Sequence, residues 1–354
     1  TPEWASEETG IDASEIIKLA RNMASGRTLI SVSWSLQRAR YGEHPFWMAC
    51  VLAAMLGQIG LPGGGIGFGY GAIGNIGKTA KRMQGPLFEQ GTNPISDFIP
   101  VSRIADMLLN PGGPYNFNGE KRIYPDIKLV YWCGGNPFHH HQDLARLRKA
   151  WEKPSTVIVN EWCWNALARH ADIILPCTTT LERQDIAMTP RDPFVISMDK
   201  AIEPIGEARN DYDIFTGIAR YMDTEDTFTE GRSAEDWQKW IWEQSCEQAA
   251  KLNVQMPDYQ SFREAGFYKS PKLNHDRIFL SDFFDDPEEN PLGTPSGKIE
   301  LFSKTIDSFN YDDCPGHPTW MEPAEWLGAK EKVYPLHLIA NQPRTKLHSQ
   351  MDNG

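Results

Sequence analysis

IKLVYWCGGNPFHHHQDLAR, residues 127–146, decides the fold. Ile127, Leu129, Val130, Tyr131 and Trp132 form a short β-branched and aromatic run, the pattern of a strand covered on both faces in a parallel sheet. Gly134 and Gly135 then allow a tight turn, and Asn136-Pro137 opens a helix with proline close to its first position. Free amide groups and the helix dipole at the carboxyl end of such a strand favour a phosphate, so the turn is a candidate nucleotide crevice. An ordinary βα turn without a ligand is the alternative reading of this stretch.

Two further segments extend the pattern. Thr156 to Trp162, TVIVNEW, reads as a second strand with Asn160 and Glu161 at its carboxyl end, on the same edge as Asn136. Ala171 to Leu175 reads as a third and leaves Thr178 to Arg183 in the loop beyond. Strands at short intervals, each ending in polar residues and separated by helices, predict an α/β fold: doubly wound, mainly parallel sheets with helices on both faces. A helix over Glu207 to Arg220 carries Asp211 and Asp213 near its start, and Ser233 with Asp236 opens another whose Trp237, Trp240, Ile241 and Trp242 read as core.

Upstream, Asp12 and Glu15 form a capping box before an amphipathic helix closed by Gly26, and Thr28 to Trp34 reads as a strand. A helix over about Pro45 to Ile59 is apolar almost all round and is expected to be buried between layers. It leads into LPGGGIGFGYGAIGNIG, with eight glycines between Gly63 and Gly77. That segment lacks the lysine of a Walker loop and follows no strand, so a coil that approaches a large ligand remains beside a purely structural coil. Ile104 to Leu109 reads as a short helix, and PGGPYNFNG after it as a loop. Downstream, 258–290 shows no clear periodicity, and its acidic run Asp282 to Glu289 lacks the ligand spacing of a calcium loop. Thr294 to Ser303 and Val333 to Ala340 read as strands of a new, β-rich region. The expected division is 1–90 as an α/β segment, 91–290 as a doubly wound dinucleotide-binding domain, and 291–354 as the incomplete start of a C-terminal β-barrel-like domain.

Composition narrows the function. The 354 residues carry a net charge of -12, which argues against nucleic acid or an anionic membrane as the main partner. No apolar run is long enough for a bilayer span, so no membrane insertion is expected. Six scattered cysteines without a CxxC pair read as buried free thiols rather than zinc or iron–sulfur ligands. Cys177 has no neighbouring base in sequence, Trp132, Trp162 and Trp164 read as core, and the triple His139-His140-His141 cannot converge on one ion from a regular helix, where neighbours point about 100° apart. No GxGxxG joins a strand to a helix, which disfavours a nicotinamide dehydrogenase.

Six blocks taken in order, SVSWSLQRARYGEHPFW with LGQIGLPGGGIGFGYG, YWCGGNPFHHHQD, ARHADIILPCTTTLER, TPSGKIELFS and NQPRTKLHSQ, resemble the dimethyl sulfoxide and trimethylamine N-oxide reductase branch of the molybdopterin oxidoreductases, which includes biotin sulfoxide reductase. The resemblance spans nearly the whole chain. It implies molybdenum held by two molybdopterin guanine dinucleotides, transfer of an oxygen atom from a small S-oxide or N-oxide, and two electrons from a donor such as a cytochrome or reductase. It implies that Trp34, Ser35 and Arg38 face the cofactor, with Trp34 and Arg38 as catalytic candidates. Asn136 and His140 would lie at one dinucleotide, and Asn160, Glu161, Arg183 and Asp213 around a guanosine end. Ala340, Asn341, Gln342, His348, Ser349 and Gln350 would contact pterin rings or phosphates; Lys346 stands where the family pattern has arginine. The branch's molybdenum-ligating serine falls outside this sequence, so no metal ligand is expected within it, and the chain reads as a central fragment supplying part of the cradle. Relatives of this kind suggest the periplasm, with the cytoplasm as the alternative. A non-catalytic nucleotide-binding or structural piece is the competing function.

Overall fold

The computed structural model describes residues 1–67, 69, 87–88, 90–188, 193–272, 278–328, 336, 338–339 and 344. The chain opens with α1 (Pro2–Thr9) and α2 (Ala13–Ser25). Asp12 stands at the N-cap of α2, but its side chain makes no capping hydrogen bond, and Glu15 instead lies 3.6 Å from Lys18; the capping box is not formed. Strand β1 (Leu29–Ser31) follows and pairs in parallel with β2 (Gly65–Gly67), with α3 (Glu43–Met55) between them. Among the residues of α3 only His44, Ala49 and Ala53 are buried, while Met48, Leu52 and Met55 stand exposed along one face. An all-round apolar helix therefore packs on one side only, contrary to the expectation from its composition. Gly71, Gly74 and Gly77 of the glycine-rich segment lie outside the described residues.

Next come α4 (Ile104–Leu109), β3 (Pro114–Phe117) and β4 (Glu120–Ile123). The last two form an antiparallel hairpin where a loop was expected. Asn118 and Gly119 take left-handed φ values of 48° and 80°, the Asn-Gly turn that matches strand twist; this signal was in the sequence and outweighs the surrounding Pro and Gly.

The central unit runs β5 (Leu129–Cys133), α5 (Pro137–His140), α6 (Leu144–Trp151), β6 (Thr156–Glu161) and β7 (Ile173–Pro176). Its three strands are parallel in the order β5-β6-β7, with Cys133 opposite Asn160 and Asn160 opposite Leu175. Sequence order and spatial order coincide, so no reversal of winding occurs within this sheet. Below it, Leu147 and Val159 are wholly buried with Trp151, Phe138, Val157, Leu167, Met107 and Tyr124 in one core. An ion pair between Arg146 and Asp106 ties α6 to α4.

A second unit follows. Strands β8 (Asp185–Met188) and β9 (Phe194–Met198) lead to α7 (Asp211–Tyr221), α8 (Glu225–Thr229), α9 (Ala234–Lys251), α10 (Tyr259–Ala265), β10 (Phe267–Lys269) and α11 (Ser281–Asp285). The sheet is antiparallel, ordered β10-β9-β8, and does not belong to the doubly wound pattern expected across 91–290. Its core is Trp242 stacked on Phe262 at 3.7 Å with Val195 and Tyr259. The capping box of α9 forms between Ser233 and Asp236, as the sequence indicated.

After α12 (Lys304–Asp307) the chain returns to α3: His44 Nε2 bonds the Asp313 carbonyl at 3.1 Å and Nδ1 accepts from the Thr319 amide at 3.3 Å. No strand forms over Thr294–Ser303, and no barrel-like sheet occurs among the described residues. The alternation of Ile299, Leu301 and neighbours has no strand beside it to pair with, and extended backbone without a ladder is not held. Val333–Ala340 lies mostly outside the described residues. No described helix is long and apolar enough to cross a membrane.

Candidate functional site

The carboxyl edge of the parallel sheet gathers polar side chains that are nearly all buried. At the end of β5, Asn136 is 1% exposed and caps α5, its Oδ1 accepting from the Phe138 amide at 3.0 Å. Its Nδ2 is buried without a hydrogen-bond partner among the described residues. Such an orphan amide is costly unless a ligand accepts from it. Beside it, Gly134 and Gly135 take φ of 75° and 69°, and a Cβ on Gly134 would meet nothing within 4 Å. There is room at this turn for a bulky group, and His140 flanks it, its ring 3.7 Å from where a Cβ on Gly135 would stand.

At the end of β6, Asn160 is 4% exposed and Glu161 8%. Asn160 Oδ1 accepts from the Tyr131 hydroxyl at 2.9 Å, and its Nδ2 donates to Asp211 at 2.8 Å. Glu161 accepts from Asn165 Nδ2 at 2.7 Å and from the Trp162 amide at 3.2 Å, which pins a carboxylate at the edge while leaving lone pairs on both oxygens. Beyond β7, Thr178 donates to Asn210 at 2.9 Å, and Arg183 donates to the Thr178 carbonyl at 2.9 Å and to Asp185 at 3.1 Å. Arg183, Asn210 and Asp211 line a cleft of about 350 Å³ walled on its far side by Phe88 and Trp237.

Negative charge gathers here. Burial first, and then Asp211 and Glu161, push the Cys177 thiol up to about 11; burial, then Cys133 and Asp211, push the Tyr131 phenol up to about 12. Cys133 is raised by burial and Asp211. These groups are therefore neutral donors at ordinary pH, and the thiols are not nucleophiles.

The structure thus brings together Asn136, His140, Asn160, Glu161 and Arg183. It places Asp213 exposed in the first turn of α7, about 200° around the helix from Asp211, which instead holds the contact to Asn160. Trp34, Ser35 and Arg38 lie in a 3₁₀ turn, Trp34–Arg38, all exposed, with Ser35 bonded to Ser33. Ala340, Asn341, Gln342, His348, Ser349 and Gln350 lie outside the described residues. Tyr131, Asn165, Thr178, Asn210 and Asp211 are edge residues that the sequence reading did not select. For Asp211 a signal existed in its place in the chain: Asn210 stands at the N-cap position of α7, though its side chain accepts from Thr178 and makes no capping hydrogen bond, and Asp211 is the first helical residue.

Other expectations are corrected. Trp162 and Trp164 are 57% and 66% exposed rather than core, because they follow β6 onto the open edge, while Trp132 is half-buried. None of the six thiols is fully buried; Cys50 and Cys133 are exposed. His139 is exposed and His141 half-buried, its imidazole lowered by burial. The one described cluster with metal-ligand spacing is Glu43, His44 and Cys314, but both nitrogens of His44 are already engaged by backbone groups, which does not suit a metal.

A pterin carrying a nucleotide needs hydrogen-bond donors for phosphate, acceptors for a base and ribose, and open backbone. The orphan Asn136 amide, the space at Gly134, Arg183 and the carboxylates of Glu161 and Asp211 fit that set.

The sequence signature of the family described as "Molybdopterin oxidoreductase" matches residues 6–221. Biotin sulfoxide reductase of Cereibacter sphaeroides is 48% identical over 353 residues, 99% of this chain and 47% of the relative. Dimethyl sulfoxide/trimethylamine N-oxide reductase of the same organism is 46% identical, and trimethylamine-N-oxide reductase of Haemophilus influenzae 42%, each over 99% of this chain and 44% of the relative. The chain spans about half the length of these relatives. Among solved structures, acetylene hydratase from Pelobacter acetylenicus aligns with a TM-score of 0.40 and 20% identity over 57% of this chain and 25% of that one, too slight a likeness to bear on the fold.

Proposed function

The chain belongs to the molybdopterin oxidoreductase family, and from that premise we propose that it supplies part of the cradle for two molybdopterin guanine dinucleotides in a reductase of small S-oxides or N-oxides such as dimethyl sulfoxide, trimethylamine N-oxide or biotin sulfoxide. The observation that carries the reading is the sheet edge, where a buried Asn136 amide without a partner faces a turn with room beside Gly134. When bound, the molybdenum cofactor supplies two-electron oxygen-atom transfer.

The rest is the work of this chain's residues. Asn136 donates its free amide to a phosphate or pterin oxygen, and His140 closes over the glycine turn. Glu161, held by Asn165, accepts from a ribose diol, and Arg183 answers a phosphate with a guanidinium already oriented by Asp185 and the Thr178 carbonyl. A carboxylate at the start of α7, Asp211 or Asp213, accepts the paired N–H groups of a guanine edge. Trp34, Ser35 and Arg38 present an indole, a hydroxyl and a guanidinium to the cofactor side, where Arg38 orients the oxide. Ala340, Asn341, Gln342, His348, Ser349 and Gln350 complete the pterin contacts on the strength of the family resemblance. Electrons come from a cytochrome or reductase partner, and the periplasm is the proposed compartment, which cell fractionation tests against the cytoplasm.

Metal analysis with guanine-nucleotide release on the purified protein tests the reading. About two GMP per molybdenum supports it. Nucleotide without molybdenum and without oxide reduction would favour a nucleotide-binding piece alone, and neither nucleotide nor metal would discard the cradle.

A further inference from the structure

Resting on the reading above that a phosphate lies at the sheet edge, we infer that Trp132 is a positioning residue that locks the peptide between Gly134 and Gly135 so that the Gly135 N–H serves as a donor to that phosphate. Side chains alternate along β5, so Trp132 points to the face opposite Tyr131 and Cys133. There it packs against the core, its ring 5.7 Å from that of Trp151 and 6.4 Å from that of His141. Packing fixes the indole, and the indole fixes the turn: its Nε1–H donates to the Gly134 carbonyl at 2.8 Å. An indole nitrogen only donates, so it holds a carbonyl and disfavours an N–H in the same place.

The consequence falls on the next amide. The peptide is trans, which sets the Gly135 N–H antiparallel to the Gly134 carbonyl. With the carbonyl held by Trp132, that N–H points away from the indole, on an exposed residue, and it makes no hydrogen bond among the described residues. The next side chain brings a second donor of the same kind, the buried Asn136 Nδ2 without a partner. Two unanswered donors on adjacent residues suit a group that carries several acceptor oxygens, as a phosphate does. The lock is needed because the linkage joins two glycines. Glycine takes positive and negative φ about equally readily, so from φ of 75° and 69° the peptide between Gly134 and Gly135 can rotate at little cost. Rotated, it presents a carbonyl oxygen where the phosphate needs a donor. The hydrogen bond from Trp132 removes that alternative.

The test removes the indole N–H and little else. Benzothienylalanine incorporated in place of Trp132 keeps the bicyclic shape and carries sulfur where the N–H was; Trp132→Phe is the genetic counterpart. Each protein, as the full chain emptied of cofactor, is titrated with inorganic pyrophosphate by calorimetry while nuclear magnetic resonance follows the backbone amide of Gly135. In wild type the Gly135 amide proton moves downfield as pyrophosphate binds. The sulfur analogue melts as wild type does, yet binds pyrophosphate about tenfold more weakly and shows a smaller Gly135 shift. Equal affinity with an equal Gly135 shift in the analogue overturns the positioning role while leaving the phosphate site in place. Binding lost in step with melting temperature in both variants overturns it as well, since Trp132 is then a member of the core and nothing more. A wild-type Gly135 signal that pyrophosphate does not move overturns the role and the phosphate site at this turn together, and the GMP and molybdenum content of the purified protein then decides separately whether the cradle reading stands.

Discussion

The sheet edge and the 34–38 turn are both proposed to meet the cofactor, yet they are built in opposite ways. At the edge Asn136, Asn160 and Glu161 are buried to within 8% exposure and held by Tyr131, Asn165 and Asp211. In the turn Trp34, Ser35 and Arg38 are exposed, and the hydroxyl of Ser35 is held by its neighbour Ser33. The edge is preorganised by a core it sits upon, so its geometry and the stability of the fold are one quantity. The exposed side chains of the turn lie outside that core, so their geometry is more separable from stability. Substitutions in the two regions should therefore divide cleanly between stability and binding.

The largest effect on stability is expected beneath the edge. Leu147 is wholly buried in the core under β5 and β6, and Leu147→Ala should cost about 2–5 kcal/mol in chemical denaturation and release bound nucleotide with it. Full stability with nucleotide lost would show that edge and core are not coupled. Next comes Asn160→Asp, which sets a second carboxylate against Asp211 in place of a 2.8 Å amide donor. A cost of about 2–4 kcal/mol is expected near neutral pH, easing as the solution is acidified and one of the pair takes up a proton. An effect independent of pH would mean that the two side chains do not face one another in solution.

The edge was legible in sequence because each of its strands announces itself by a short apolar run and ends in polar residues, and because Gly134-Gly135-Asn136 has a single sensible role. Its second layer was not. Tyr131 reads as one more aromatic in a buried strand, and its hydroxyl becomes meaningful only when the β5–β6 register puts Asn160 diagonal to it. Asp213 was selected by resemblance, and the contact of its neighbour Asp211 to Asn160 was not legible, because two acidic residues near a helix start look alike until the fold brings Asn160 beside one of them. Strand β10 was missed for a different reason: it lies some 70 residues from its partner β9, and such long-range pairing leaves no local signature. Trp162 and Trp164 were taken for core on composition alone, although the strand that delivers them ends one residue earlier.

A smaller effect follows from charge at the edge. Burial, then Asp211 and Glu161, hold the Cys177 thiol up at about 11, above its value in the unfolded chain. Between the unfolded value near 8.5 and the folded value the unfolded state binds fewer protons, so stability falls as pH rises through that window and is unaffected below it. Cys177→Ala should flatten the alkaline limb of the stability profile from about pH 8.5 to 11 and leave the neutral region within about 1 kcal/mol of wild type. An unchanged alkaline limb would place the thiol in solvent rather than against the two carboxylates.

The smallest effect on stability is expected in the turn. Arg38 is exposed, so Arg38→Ala should shift the unfolding free energy by no more than about 0.5 kcal/mol. The same substitution removes a five-donor guanidinium from the side assigned to the cofactor, and a pyrophosphate or oxide oxygen loses a charge-assisted partner. Oxide reduction by the full protein should fall by one to two orders of magnitude, while Arg38→Lys keeps the charge without the fork and restores only part of it. The diagnostic is the pairing of measurements on one variant: unchanged melting with lost activity assigns the turn to the ligand, whereas melting that falls with activity would show that the turn is a structural strut like the edge. Retained activity with unchanged melting would remove Arg38 from the site, and the exposed turn would then need no cofactor to explain it.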